Sequence, residues 1–376
     1  MRTIQGVRVG WLVGALGSLA MLVGTAAADV ATERPGSLLM FPKVVRDGQR
    51  DTVIQLTNTG NDANFVKCYY LNAQPGTDGR PLWTVSDFEL LLTKQQPTHW
   101  RAGTGRAVNP FDPFGTENAG LDPGLVPPVP LGFVGALICN EVLPDGAPVA
   151  KNAIKGEARI GSTGVSGDYS KYNAVAFDAK GTPTGPALNL DGNEYANCPT
   201  ALNFNLVADG ATDPVIEDLG NGGICVGGVT PGAPCNSNAQ CDQGTCNTGR
   251  SSVVTTMTIL PCNLDMLNGI PSSVTVQFEV LDEFEVLRSG STTVECWGSF
   301  NIGKIAAMRS DLLPQGALTT QYATARMYSS GGGPFVAVAE SFHVDSIGNA
   351  GSAAVNLHMD LSTPRPNAVV TVHEPF

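Results

Sequence analysis

The sequence contains few of the residues that catalytic and nucleic-acid-binding motifs require. Only 15% of its 376 residues are charged, and only four are histidines. It has no G-x-S-x-G serine elbow, no P-loop, no G-x-G-x-x-G dinucleotide fingerprint and no H-E-x-x-H zinc motif. It also has no cluster of lysines and arginines of the kind that binds a phosphate backbone. The common catalytic motifs and nucleic-acid binding are therefore not indicated.

The sequence also lacks long amphipathic helical patterns; only 305–313 could form a helix, of two turns at most. Glycine (44 residues) and proline (26 residues) are abundant instead. Apolar and polar residues alternate over short segments, as they do in half-buried strands, and turn signals recur every 8 to 12 residues or so. The sequence predicts an all-β fold, specifically an antiparallel β-sandwich of immunoglobulin-like or jelly-roll-like type.

Individual strands can be placed from this alternation. They are predicted at 37–45, 51–60, 64–71, 87–93, 132–142, 156–162, 171–179, 200–207, 251–260, 273–280, 292–297, 319–328, 334–344, 352–359 and 368–373. The segments 273–280 and 292–297 form the strongest predicted pair. Segment 64–71 lies within hairpin distance of 51–60, so these two are also expected to be neighbours.

The N-terminus has the features of an export signal. Arg2 and Arg8 precede an apolar run from Gly10 to Gly24, and three alanines follow at 26–28. Residues 1–28 are predicted to be a cleaved signal peptide, with Asp29 as the first mature residue. The alternative, a retained membrane anchor, is disfavoured because the run is short for a bilayer span. The expected location is secreted or cell-surface, with the periplasm as the alternative.

The mature chain is acidic. It holds 20 lysines and arginines against 34 aspartates and glutamates, which gives a formal charge of −14. Such a charge favours solubility and disfavours contact with nucleic acid and anionic membranes. No further long apolar segment follows the signal, so no membrane span is expected after its cleavage.

The nine cysteines indicate an oxidising compartment. Four of them, Cys225, Cys235, Cys241 and Cys246, fall in a segment with almost no core-forming side chains, which we call the knob (220–250). They are expected to pair among themselves, in any of three connectivities. The other five can form two bridges at most; they are Cys68, Cys139, Cys198, Cys262 and Cys296. The fifth is expected to be a buried free thiol or, alternatively, to bridge two chains.

The knob also sets the predicted domain organisation. Glycine-rich sequence leads into it and out of it, and strand-like sequence lies on both sides, so it is predicted to be an insertion in a loop of the β scaffold. The predicted divisions are the signal peptide at 1–28, a first sandwich part at 29–219, the insertion at 220–250 and a second part at 251–376. The two parts could form one sandwich or two.

Two resemblances add to this interpretation. The knob's C-x9-C-x5-C-x4-C spacing and its Cys-Asp-Gln-Gly-Thr-Cys ending resemble the Dickkopf-type cysteine-rich repeats of secreted proteins, which implies a structural or protein-binding role. The rest of the chain resembles an uncharacterised group of exported bacterial proteins. The segments that carry this second resemblance are Gly36–Lys43, Asp51–Thr59, Asn152–Ala158 and Tyr172–Phe177. That group implies no activity.

Two sets of residues are candidate metal ligands. Asp191, Asn193, Asp209 and Asp213 offer oxygen atoms in tight turns, which suits a structural Ca²⁺ ion, although ordinary Asx turns would use the same residues. His343 and Asp345, with His358 and Asp360, form two H-x-D pairs. On strands, positions i and i+2 share a face, so neighbouring pairs could bind a transition metal. The alternative is that both pairs lie on polar outer faces. Apart from such a calcium ion, no cofactor is indicated.

Two observations keep a carbohydrate-binding or carbohydrate-active protein as an alternative. Exposed tryptophans could stack on sugars, and Trp83, Trp100 and Trp297 are the mature candidates, although core packing is the default for each. Paired carboxylates could hydrolyse glycosides. The cluster Asp282, Glu283 and Glu285 is, however, predicted to lie in a solvated hairpin turn.

The leading hypothesis is a secreted, non-catalytic β-sandwich protein with a structural, adhesive or binding role at the cell surface, in contact with a surface protein or glycan. The alternative is an extracellular carbohydrate-active enzyme or carbohydrate-binding module. A third hypothesis is an outer-membrane barrel, because such barrels close on a strand that ends in an aromatic residue, as this chain does at Phe376. Pro375 and the long glycine-rich loops disfavour this hypothesis.

Overall fold

The computed structural model describes residues 30–106, 123–162, 169–211, 223–226, 229, 233–235, 237–248, 252–345, 348–360 and 362–372. The predicted signal peptide at 1–28 lies outside these residues. More than half of the structure is β-strand, and almost all of the strand pairs are antiparallel, which confirms the predicted all-β sandwich class. In the segment 305–313, where a helix of two turns at most is expected, the structure has a single 3-10 turn, Ala306–Met308, preceded by another at Ile302–Lys304.

The strands of the described residues are numbered in chain order. They are β1 (Val30–Ala31), β2 (Leu38–Arg46), β3 (Arg50–Asn58), β4 (Asn64–Asn72), β5 (Thr84–Leu92), β6 (Pro97–Arg101), β7 (Phe133–Val142), β8 (Ile154–Ser162), β9 (Tyr169–Asn173), β10 (Val175–Phe177), β11 (Ala187–Leu190), β12 (Ala201–Val207), β13 (Gly223–Val226), β14 (Pro234–Cys235), β15 (Thr245–Thr248), β16 (Ser252–Pro261), β17 (Leu264–Asp265), β18 (Ser273–Asp282), β19 (Leu287–Glu295), β20 (Gly298–Asn301), β21 (Tyr322–Ser329), β22 (Phe335–Asp345), β23 (Gly348–Asn356), β24 (His358–Met359) and β25 (Ala368–Thr371). The 3-10 turns are Asn238–Gln240, Ile302–Lys304 and Ala306–Met308.

Strands β1 to β10 form the first sandwich. One leaf has the order β5-β4-β7-β2-β10-β1 and the other has the order β6-β3-β8-β9. The leaves join at the β2–β3 hairpin, where only Arg46 and Asp51 are register partners. Because β6 and β8 occupy both edges of β3, the expected pairing of 51–60 with 64–71 is wrong: β4 pairs with β5 and β7 instead.

The core of the first sandwich lies between these two leaves. Leu39 and Phe41 of β2 point into it, and the disulfide Cys68–Cys139 joins directly opposed residues of β4 and β7. The alternate residues of β2, such as Met40, point to the opposite face and are equally buried. Strands with two buried faces read as continuous apolar runs, which is why Leu38–Phe41 contains no polar residue.

Strands β12, β16 and β18 to β24 form the second sandwich. Its sheets have the orders β19-β18-β21-β12-β24 and β20-β16-β22-β23, and the predicted pairing of 273–280 with 292–297 is confirmed. The knob strands β14-β13-β15 lie in sequence between β12 and β16. The knob therefore interrupts the second sandwich, and the chain passes from the first sandwich to the second before reaching it.

The two sandwiches pack against each other through one face of β22. Its alternate residues Ala337 and Ala339 face the second core, while Val336 faces the interface cluster that it shares with β2, β4 and β7. A small sheet, β11-β25-β17, and the disulfide Cys198–Cys262 belong to this interface.

A buried ion pair crosses the same interface. The Nζ of Lys43 lies 2.5 Å from a carboxylate oxygen of Glu340 on β22 and 3.1 Å from the hydroxyl of Thr256. Glu340 also accepts from Arg50 at 3.3 Å and from the hydroxyl of Ser170. Both charges are removed from water, and each is satisfied by partners on the opposite sandwich, so this ion pair links the two sandwiches.

Candidate binding site

A cavity lies between the two sheets of the second sandwich, at one open end. Its volume is about 520 Å³. We call it the mouth. It is lined by Phe204–Val207, Thr255, Leu281–Glu283, Tyr322–Thr324, Ala339, Ser341 and Val355.

Small side chains in facing rows explain why this space is open. On one sheet, Ala323 lies between Leu206 and Asp282 in the same cross-strand row. On the other, Ala339 is the direct partner of Val355. Sheets in a sandwich are about 10 Å apart, and two rows centred on alanine cannot fill that distance. The cavity is thus a consequence of residue choice at the last rows of a regular sandwich.

Hydroxyl groups provide the polar part of the inner wall. The side chains of Thr255 and Ser341, which are register partners on β16 and β22, hydrogen-bond to each other at 2.8 Å. That bond uses one donor and one acceptor, so the pair keeps one donor and further lone pairs for a ligand. The wall therefore combines apolar contact with a small hydrogen-bonding group, as ligand pockets generally do.

The side of the mouth formed by the β18–β19 turn is acidic. Asp282 points inward, and its carboxylate accepts from Arg288 at 2.5 Å and from the backbone N–H groups of Phe284 and Val286 at 2.9 Å. These hydrogen bonds hold its pKa below the ordinary value despite burial. Glu283 is exposed and has no ion-pair partner among the described residues. No lysine or arginine lines the mouth.

Exposed apolar side chains line this opening or lie on the adjoining β18–β19 hairpin. Phe284 at the tip of the β18–β19 turn is 76% exposed and Leu287 is 63% exposed. Leu281, Tyr322 and Val355 line the mouth and are each more than two-fifths exposed. Single exposed apolar residues are ordinary, but a group of them around a cavity is typical of interaction surfaces.

The calcium candidates lie in separate turns. Asp191 accepts the backbone N–H groups of Asn193 and Glu194 at 2.8 and 2.9 Å, which lowers its pKa and forms an Asx turn. Asp209 is buried, with 6% exposure, and burial raises its pKa to about 6. Asp213 lies outside the described residues. The carboxylate of Asp191 is thus already satisfied by its own turn.

The two H-x-D pairs lie on opposite sheets of the second sandwich. His343 is on β22 and His358 is on β24, which pairs with β12 of the other sheet. Asp360 accepts from Arg326 at 3.3 Å, and the side chain of Asp345 lies outside the described part of the chain. The structure therefore does not bring the two histidines together on adjacent strands.

The cysteines form four disulfides. In the knob, Cys225 bonds to Cys241 and Cys235 to Cys246. Within the described residues, the only group of three metal-ligand side chains with atoms inside 4.8 Å is Cys225, Cys235 and Cys241, and all three sulfurs are already in disulfides. Cys296 is free and buried, and burial raises the pKa of its thiol to about 11.

The three tryptophans considered for sugar stacking pack inside the protein. Trp83 and Trp100 are buried, and Trp100 donates its Nε1 hydrogen to the Tyr70 hydroxyl at 2.6 Å. Trp297 is half-buried and donates to the carbonyl of Pro42 at 2.7 Å. Their rings thus contribute to packing.

Of the residues around the mouth, the sequence singles out only the acidic cluster Asp282, Glu283 and Glu285. It predicts that this cluster lies in a solvated hairpin turn. Asp282 is in fact buried, whereas Glu283 and Glu285 are exposed as predicted. The useful signal was the combination of three apolar residues, Leu281, Phe284 and Val286, with charged ones in a predicted hairpin turn, where polar residues are usual. Ala323 and Ala339 could not be recognised from the sequence as cavity residues. They leave a space only because their cross-strand rows lie opposite each other on the two sheets.

Comparison with known proteins adds little to this description. No protein-family model and no curated protein matches the sequence. Among solved structures, the crystal structure of Thermotoga maritima 1070 aligns with 39% of this chain and 98% of its own chain, at 10% identity and a TM-score of 0.23. At such values the likeness supports no statement about fold or function. In the described residues, no helix is long and apolar enough to cross a membrane.

Proposed function

We propose that this chain is a secreted, non-catalytic β-sandwich protein of the cell surface or extracellular space, and that it acts by binding through the mouth of the second sandwich. The observation that carries this proposal is the combination of a cavity of about 520 Å³ with exposed apolar side chains that line it or lie on the adjoining β18–β19 hairpin. Removing such a surface from water is favourable, so it suits a partner better than solvent.

The scaffold around the mouth supports a binding role. Two sandwiches are joined by a buried ion pair, one disulfide links neighbouring strands of the first sandwich, and another lies at the interface. A binding surface held on rigid strands loses little conformational entropy when the partner arrives. The acidic residue inside the mouth, Asp282, is held by Arg288 and two backbone N–H groups, which suits a structural carboxylate.

The test is saturation binding of the labelled mature protein, residues 29–376, to intact cells and to arrayed glycans. The double variant Phe284→Ser with Leu287→Ser removes the two most exposed apolar residues of the β18–β19 turn. We expect its affinity to fall at least about tenfold, because truncating the hot-spot residues of an interface costs about 2 kcal/mol or more.

The matched control is Leu131→Ser, which removes a similarly exposed apolar residue from the first sandwich. It should bind as the unaltered protein does. Equal losses in the control and the double variant, or saturable binding that neither one changes, would show that the mouth is not the binding surface.

A further inference from the structure

The mouth is deep enough to hold a ligand of its own, in addition to presenting an apolar rim. Its volume of about 520 Å³ is within the range of small-molecule sites. Apolar side chains from both sheets, Leu206 and Ala323 on one and Ala339 and Val355 on the other, form the walls. An alkyl chain is the chemical group that such walls contact most favourably.

The polar groups of the mouth determine which head group the alkyl chain can carry. The Thr255–Ser341 hydroxyl pair can exchange hydrogen bonds with an uncharged or positively charged group. Asp282 is neutralised by Arg288, but the carboxylate of Glu283 at the opening is not paired among the described residues. With no cationic side chain in the lining, an anionic head would find no ion-pair partner and would be repelled by Glu283.

We propose that the mouth binds a small amphiphile with an apolar chain and a cationic head group, such as an alkyl ammonium, with the chain between the sheets and the head near Glu283. This inference rests on the proposed function in that both use the same opening. The cavity binds the ligand, however, whereas the exposed rim contacts the larger partner.

The experiment is isothermal titration of the mature protein with three probes of equal chain length, octylamine, octan-1-ol and octanoate, each below its micelle concentration. We expect octylamine to bind most tightly, octan-1-ol to bind more weakly, and octanoate to bind at least tenfold more weakly than octylamine. Octanoate binding as tightly as octylamine would overturn the assignment of the head group.

Two variants test whether binding occurs in the cavity, which matters because any cation is attracted to a chain of charge −14. Ala339→Phe fills the cavity from the inner wall. Val355→Trp blocks it from the exposed partner position, with less strain on the core. Binding of octylamine should fall at least tenfold in each variant that melts as the unaltered protein does. Unchanged binding in such a variant would overturn the proposal.

The head group is tested by Glu283→Gln, with Glu285→Gln as the control from the same turn. We expect Glu283→Gln to weaken octylamine about threefold while octan-1-ol is unaffected, because Glu283 is exposed, and Glu285→Gln to leave both unchanged. Equal effects of the two substitutions would contradict a specific role for Glu283. If Phe284→Ser with Leu287→Ser abolishes cell binding but no probe enters the cavity, this inference fails and the proposed function stands. If octylamine binds in the cavity but the double variant binds cells as the unaltered protein does, the proposed function fails and this inference stands.

Discussion

Two buried carboxylates in this protein are satisfied to different degrees. Glu141 accepts hydrogen bonds from the Ser37 hydroxyl at 2.5 Å, the Asn64 amide at 2.7 Å and three backbone N–H groups at 151–153. Asp209 accepts from the Thr255 backbone, but one of its oxygens has no partner among the described residues. An unsatisfied buried oxygen is costly when it carries charge. Asp209 is therefore the weak point of the second sandwich.

Replacing Asp209 with asparagine should stabilise the protein at neutral pH. Burial raises the pKa of this carboxyl from 3.8 to about 6. The folded state thus binds a proton more readily than the unfolded state, so the free energy of unfolding falls as the pH rises from about 4 to about 6. This rise in the pKa of Asp209 corresponds to a loss of roughly 3 kcal/mol at most in the free energy of unfolding. Urea unfolding of Asp209→Asn and the unaltered protein should therefore differ at pH 7.5 and converge near pH 4.

Asp191→Asn is the control, because hydrogen bonds in its turn lower the pKa of Asp191 instead of raising it. That substitution should give no stabilisation at pH 7.5. An Asp209→Asn variant that is less stable than the unaltered protein at pH 7.5 would show that the charged carboxylate is a favourable element of the fold.

The burial of Asp209 could not be inferred from the local sequence. Asp209-Gly210 is a typical exposed turn pair, and it was accordingly considered as a calcium ligand. Its environment is made by Asn301, Gly303 and Arg309, which lie far away in the chain. The local sequence predicts the turn at Asp209-Gly210, whereas the contacts that bury the Asp209 side chain depend on the tertiary fold.

At the scale of elements, the alternation of apolar and polar residues predicted most of the strands. It predicted only some of the pairs that these strands form. The β18–β19 hairpin follows from two complementary alternating segments joined by a short turn. The segments of β3 and β4 are just as close in sequence, yet they belong to opposite leaves of the first sandwich. Sequence proximity cannot show that the edges of β3 are already occupied by β6 and β8.

The knob should be removable without unfolding the second sandwich. The chain enters and leaves it side by side, since Gly210 donates to the carbonyl of Val253 at 3.1 Å and Val253 to that of Ala211 at 3.4 Å. The knob also has its own small cluster around its cysteines, separate from the other cores. Deleting residues 222–249 should lower the melting temperature by less than about 3 °C, measured by circular dichroism.

Disruption of a single knob bridge is the matched control. Cys235→Ser with Cys246→Ser should disorder the knob and leave the sandwich melt unchanged. A deletion variant that aggregates, or that melts more than about 10 °C lower, would mean that the knob is integral to the second sandwich.

At the scale of the whole molecule, the buried pair Lys43–Glu340 should be the most sensitive polar contact. Burial lowers the pKa of Lys43, and this desolvation outweighs the attraction of Glu340 on that pKa. Removing one partner leaves the other charge buried without it. We expect Lys43→Met or Glu340→Gln to cost about 3–5 kcal/mol in urea unfolding. The double variant should cost less than the sum of the two.

The surface pair Lys171–Glu157 has a similar separation, 2.6 Å, and serves as the comparison. Lys171→Met should cost less than about 1 kcal/mol, because that pair is screened by solvent. If Lys43→Met costs no more than Lys171→Met, the ion pair does not hold the sandwiches together.

The docked arrangement and the mouth were the parts of the molecule least accessible to sequence reasoning. Glu340 sits in an apolar strand, and nothing near it in the chain indicates Lys43, which lies almost 300 residues earlier. Likewise, the cavity exists because the rows of Ala323 and Ala339 face each other across two sheets. Both features depend on long-range register, which alternation alone does not specify.

The most direct test of the central claim is hydroxyl-radical footprinting of residues 29–376, alone and saturated with whichever cell or glycan preparation binds in the proposed assay. Oxidation is read residue by residue at the mouth and at exposed apolar residues elsewhere. We predict that Phe284, Leu287 and Tyr322 are protected by binding while Leu131 stays equally reactive. Protection of Leu131 with unchanged oxidation at Phe284 and Tyr322 would contradict the assignment of the mouth as the binding surface.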